Sequence, residues 1–281
     1  IYFDDVGGDL HNTHDGAYAL LNHASLIDIP GEMIYDNISQ RMYLWPYSNP
    51  SQSEFTLARR TMGIYTQGYS NLVVDSFKTQ KQYSGVDWWS QGSGISPGGT
   101  GISSSNVTFR NNEVTKIRSI VGAAAINVVG TANNLAENNY VHDNQRSIGI
   151  LGGGYNITIR NNNVSKTSRL GIWFMDARDS SIINNTISGI RGTHSNPWSV
   201  YSNSQNVLVA NNRVYDSNNG GTFQSSTNLT IYNNFIDSGT DRVSSWGGMN
   251  GVNIINNIFM QGIVLSTTDT NIIFKNMESA R

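Results

Sequence analysis

The sequence predicts an all-β fold, a right-handed parallel β-helix solenoid of about 8 or more coils with an N-terminal β-hairpin and cap region, and three observations lead there. Asn-Asn pairs begin at Asn111, Asn138, Asn161, Asn184, Asn211, Asn233 and Asn256, at intervals of 27, 23, 23, 27, 22 and 23 residues. Each pair sits in a similar frame of alternating apolar residues, as in Asn106-Val-Thr-Phe-Arg-Asn-Asn-Glu-Val and Asn156-Ile-Thr-Ile-Arg-Asn-Asn-Asn-Val. No helical periodicity separates the frames, so βαβ and leucine-rich arrangements are excluded, and the repeat is too short for a propeller blade.

Each element then follows in order. Alternation with a period of two marks short half-buried strands, and an Asn at the bend tolerates a left-handed backbone or bonds neighbouring peptide groups. A second apolar frame precedes each pair, at Gly149-Ile-Leu, Gly171-Ile-Trp-Phe, Val200-Tyr, Thr222-Phe and Gly262-Ile-Val-Leu. The repeat therefore holds about three strands, and stacking at roughly 4.8 Å gives a rod of roughly 40 Å from Asn106 to Met277. Equal spacing should bring the Asn pairs into a single file. Residues 1–60 are expected to form a cap and hairpin, with turns at Pro30-Gly31 and Asp36-Asn37, packed over an otherwise unpaired coil end. Residues 61–281 are expected to form the β-helix. The chain opens on Ile1, and Asn271 to Met277 reads as one more coil cut short, so further flanking segments of a longer chain are expected.

Composition narrows the function. With 18 Lys+Arg against 20 Asp+Glu, the net charge of -2 offers no global attraction to nucleic acid or an anionic membrane. No apolar run approaches the roughly 20 residues that span a bilayer. There is no cysteine, which removes disulfides and thiolate metal sites. His11 and His14 with Asp9 and Asp15 read as a solvated loop rather than a metal site, no calcium-binding signature is present, and no cofactor is expected.

The repeats from about Tyr65 to Met277 resemble the pectate-lyase-like right-handed β-helix superfamily. The stretch from Tyr18 to Asp36, containing Pro30-Gly-Glu-Met-Ile-Tyr-Asp, followed by Arg41-Met-Tyr-Leu-Trp-Pro, resembles a block found ahead of the coils in some large bacterial β-helix glycoside hydrolases; Met33 stands where that block has Trp. The resemblance implies a secreted enzyme, extracellular or at the cell surface, degrading a polysaccharide, with ligands along the first strand of each coil. Glycoside hydrolysis is preferred. The alternatives are a lyase acting on an acidic polysaccharide and a non-catalytic carbohydrate-binding or adhesion β-helix.

Aligning the repeats on the Asn pairs puts Asp87, Trp88, Trp89, Asn127, Leu151, Trp173 to Asp176, Tyr201, Phe223 and Trp246 in or near that first sheet. Aromatic rings facing solvent pack against the C–H face of a sugar, and strand parity decides which of them do. Trp173, Tyr201 and Trp246 are expected on one exposed face, with Asp87, Trp89 and Arg146 as further substrate contacts. Arg118, Arg146, Arg169 and Arg191 fall six or seven residues after their Asn pairs, which reads as a cationic stripe in register, either beside an anionic ligand or paired with Asp143, Asp176, Asp179 or Glu137. Hydrolysis needs two carboxyl groups about 5 Å or roughly 6.5 to 9.5 Å apart, and Asp176 with Asp143 is the preferred pair. Asp143 has a competing reading as a turn residue, because Asp216 and Asp237 recur near its phase. For a lyase, Lys166, Arg146 or Arg169 could take the proton α to a carboxylate.

Overall fold

The computed structural model describes residues 29–30, 33–36, 38–39, 41–46, 49, 60–84, 94–97, 104–119, 123–192 and 194–278. The chain divides into two compact units, Ile1–Thr56 and Leu57–Arg281. In the first, Met33–Asp36 and Arg41–Leu44 pair antiparallel with Met33 opposite Leu44 and Asp36 opposite Arg41. This is the hairpin expected around Asp36.

The second unit is a parallel β-helix with no helix among its described residues. The first strand of each coil builds one face, from Ile64–Tyr65 through Ile148–Tyr155, Leu170–Arg178, Trp198–Tyr201 and Thr222–Phe223 to Ile263–Val264. The second strand of each coil builds the second face, from Leu72–Asp75 to Thr270–Lys275, and the two faces join in one 18-stranded sheet. The third face is a separate sheet of 8 strands, from Lys78–Gln80 to Ile258–Phe259. Every pairing between these coils is parallel, so each internal strand satisfies its backbone groups against the coils on both sides.

Alternation within each strand fills the interior. Ile150, Ile172, Trp198, Phe174, Val200 and Phe223 point inward and are buried, and the Trp198 and Phe223 rings stack with centroids 6.5 Å apart. Trp198 fits because position 221 is glycine: a Cβ there would meet its ring at 2.0 Å.

The two residues of each Asn pair divide the labour of the bend. The first takes a left-handed backbone, with φ of 53° at Asn111, 55° at Asn161 and 56° at Asn184. The second is buried and forms a single file from Asn112 through Asn139, Asn162, Asn185, Asn212 and Asn234 to Asn257. In each step the side-chain amide and the backbone N–H both donate to the next Asn Oδ1; from Asn162 to Asn185 these distances are 3.0 and 2.9 Å. The remaining amide hydrogen goes to a carbonyl, as from Asn185 to Ile159 at 3.0 Å. A polar file runs inside the solenoid with its hydrogen-bonding groups used, which makes its burial affordable.

Candidate functional site

Parity turns the outward residues of the first face into a shelf. Leu151 lies between inward Ile150 and Gly152 and pairs with Trp173; Met175 pairs with Tyr201. Ala124, Ile148, Leu151, Leu170 and Trp173 form an apolar cluster apart from the core, with Met175 and Tyr201 packed against it. The Trp173 and Tyr201 rings meet edge to face at 6.0 Å, and Tyr201 and Trp246 lie 5.7 Å apart at 32°. Trp246 sits two coils beyond Tyr201, an axial rise of roughly 10 Å, so these rings lean toward one another across the intervening coil. Exposure grows along the shelf: Trp173 is 6% exposed, Tyr201 half-buried, Trp246 47% exposed. The expectation that Trp173 is exposed is thus corrected, since its neighbours cover it, while Phe223 points into the core.

Beside Tyr201 the outward groups are hydroxyls. Tyr201 Oη and Thr222 Oγ1 lie 2.7 Å apart, and Thr222 meets Ser199 Oγ at 2.9 Å. Burial raises the Tyr201 phenol above its ordinary pKa, while hydrogen bonds with Thr222, Ser199 and Asn196 pull the other way. Among the described first-face strands Asp176 is the one carboxylate, exposed and in a left-handed conformation with φ 50°. It falls at a register shift, with Gly154 below it also at positive φ, so a bulge aims it.

Residues 88–236, more than half of the chain, match the family model described as a right handed beta helix region. The chain belongs to the right-handed beta helix family. Compared with curated proteins, this β-helix shows no match. Among solved structures it is similar to the Agl-KA catalytic domain, with a TM-score of 0.48 and 14% identity over 72% of this chain and 43% of that one. XylC, solved with xylose, follows at a TM-score of 0.45 and 15% identity over 66% and 38%. The A-module of the mannuronan C-5 epimerase AlgE6 of Azotobacter vinelandii gives 0.40 and 16% over 78% and 76%. The β-helix thus spans about two fifths of the length of the first two.

Several sequence-predicted residues are not brought together in this β-helix. Asp143 belongs to the third-face strand Tyr140–Asn144, whereas Asp176 lies near the far end of the first-face strand Leu170–Arg178. Between them the chain crosses the first face from Leu170 to Asp176, roughly 20 Å, far beyond a catalytic carboxyl pair. Asp143 sits at a backbone bend within its strand: Lys116, Asp143, Lys166, Gly189 and Asp216 occupy one column, all at positive φ. Lys166 faces Asp143 at 3.8 Å on the third face, away from the shelf.

The arginine stripe also resolves differently. Arg118 pairs with Gln145, while Arg146 and Arg169 stand one residue further along their coils, so the four do not form one file. Arg191 pairs with Asp216 and donates to Asn218 at 3.2 Å. Glu137 pairs with Arg160 at 2.7 Å and Asp179 accepts from Asn206 at 2.7 Å. Arg169 is partly buried just before Leu170, and that burial lowers its pKa; Arg146 is exposed one coil below. Asp87, Trp88, Trp89, Asp9, His11, His14 and Asp15 lie outside the described residues.

Sequence reasoning missed a charged network on the third face. His142 Nδ1 lies 2.8 Å from Asp143 and Nε2 3.2 Å from Glu113, which also pairs with Lys78 at 2.7 Å. The Tyr140 ring stacks on the imidazole at 4.0 Å. Hydrogen bonding to Lys78 lowers the Glu113 pKa, and hydrogen bonding to His142 lowers that of Asp143. Only the stacking of coils separated by 23 to 35 residues creates this cluster. Among the described residues no three or more His, Asp or Glu side chains are grouped to hold a metal ion, and no helix is long and apolar enough to cross a membrane.

Proposed function

We propose that this β-helix acts on a polysaccharide laid against the outer side of its first face. The observation that carries the proposal is the contact between Trp173, Tyr201 and Trp246, three rings from three coils that leave a partly exposed aromatic surface edged by hydroxyl and amide groups. Such a surface suits a sugar ring, whose apolar C–H face stacks while its hydroxyls meet the polar rim. As an enzyme its reaction is glycoside hydrolysis, with Asp176 the carboxyl group at the edge of the shelf. A polymer of this kind places its work outside the cell or at the cell surface.

A second reading, binding without turnover, is favoured by the single carboxylate on the described first-face strands. A panel of neutral and acidic polysaccharides, followed by reducing ends and by the absorbance of unsaturated products, separates the readings. Hydrolysis yields reducing ends without unsaturation, and Asp176→Asn then abolishes turnover while binding persists. Unsaturated products would point to a lyase instead, and binding with neither product to an adhesion module. A protein that binds none of the panel would remove the proposal.

A further inference from the structure

One connection from the third face into the first is longer than its neighbour. From Ser188 to Trp198 the chain takes ten residues, whereas from Ser165, the partner of Ser188, to Ile172, the partner of Trp198, it takes seven. The longer connection carries His194 and Asn196, and the His194 ring lies 6.0 Å from that of Trp246. Asn196 is buried with its side chain fully engaged. Its Oδ1 accepts from Asn219 Nδ2 at 2.9 Å, and its Nδ2 donates to Ser199 Oγ and Tyr201 Oη, both at 3.4 Å. The phenolic oxygen accepts from Asn196 and lies 2.7 Å from Thr222 Oγ1, with either hydroxyl able to donate. The network Asn219, Asn196, Tyr201, Thr222 is built from amides and hydroxyls.

We infer that this longer connection sets the shelf, with Asn196 a positioning residue for Tyr201. The inference rests on the polysaccharide reading above. Held at its hydroxyl by Asn196 and Thr222, Tyr201 offers a ligand its ring in an orientation fixed before binding.

The test compares the full chain with Asn196→Ala, Asn219→Ala, their double variant and Trp246→Ala. Binding to a neutral polysaccharide and to a uronate polymer of matched length is measured by calorimetry, alongside near-ultraviolet circular dichroism of the Tyr201–Trp246 ring pair. Asn196→Ala should lose about tenfold in affinity and weaken the ring signal, Asn219→Ala should do the same to a smaller extent, and the double variant should match Asn196→Ala, since Asn219 acts through it. If Asn196→Ala does not fold, Asn219→Ala carries the comparison. Unchanged affinity and ring signal in the asparagine variants, or additive losses in the double variant, overturns the positioning role. Should Trp246→Ala bind as the parent does, the shelf itself is refuted, while the ring signal still judges Asn196.

Discussion

The first and third faces are made by the same coils yet handle stacking in opposite ways. On the third face, equivalent positions of successive coils carry charge, and the charges consume one another. Lys78, Glu113, His142 with Asp143, and Lys166 come from four adjacent strands and link in sequence. On the outer first face the stacked positions carry rings, aliphatic groups and neutral hydroxyls. At a repeat of roughly 4.8 Å, like charges repel and opposite charges pair, whereas rings accumulate into a surface. A dense charge cluster here marks internal satisfaction, and the ring-bearing face, with Asp176 at its edge, remains open to a ligand.

The largest effect should come from the part both faces share. Asn185→Ala removes the acceptor of the Asn162 backbone and side-chain amides, and strips Ile159 of its donor. Buried unsatisfied groups of this kind should lower stability by about 3 kcal/mol or more, read by chemical denaturation. A loss below about 1 kcal/mol would show that water replaces the amide, and that the file is less dry than its burial indicates.

Next comes the first face alone. Trp246→Ala should weaken polysaccharide binding about tenfold, the equivalent of about 1.4 kcal/mol, with the melting temperature unchanged because the ring is half exposed. An affinity loss from a third-face variant of equal size would erase the distinction between the faces.

The acid limb of stability tests the carboxylates of the second and third faces. Asp75, held by Asn111, Ser76 and Arg110, has its pKa lowered to about 2, and Glu113 and Asp143 are lowered too. A carboxyl group depressed on folding contributes stability above its unfolded value, and that contribution is lost as pH falls through the folded value. For Asp75 the window runs from 3.8 down to about 2. Melting temperatures measured across it should fall less steeply in Asp75→Asn than in the parent, by a small amount because the group is exposed. Parallel curves would mean that Arg110 and Asn111 do not hold the carboxylate in solution. The smallest effect is expected from Lys166→Ala, which should leave polysaccharide binding unaltered in the same calorimetric assay, since its ammonium faces Asp143. Loss of turnover in this variant would restore a catalytic role for the third face.

The intervals between Asn pairs, the alternation around them and the turn at Asp36 determined the coil, its parallel stacking and the hairpin, because these depend on local backbone preference repeated at a fixed period. The 27-residue interval from Asn184 to Asn211 holds the extra residues that bring His194 and Asn196 to the shelf, but the spacing alone did not say where in the coil they fall. Tertiary structure alone decided which Asn of each pair turns and which is buried, and that Asp143 and Asp176 stand at different corners. It alone joined His142 to Glu113 across 29 residues of sequence. The physical reason is that period-two alternation specifies which residues share a side, but neither the bulges that shift register, as at Asp176, nor the distance between corners appears in it.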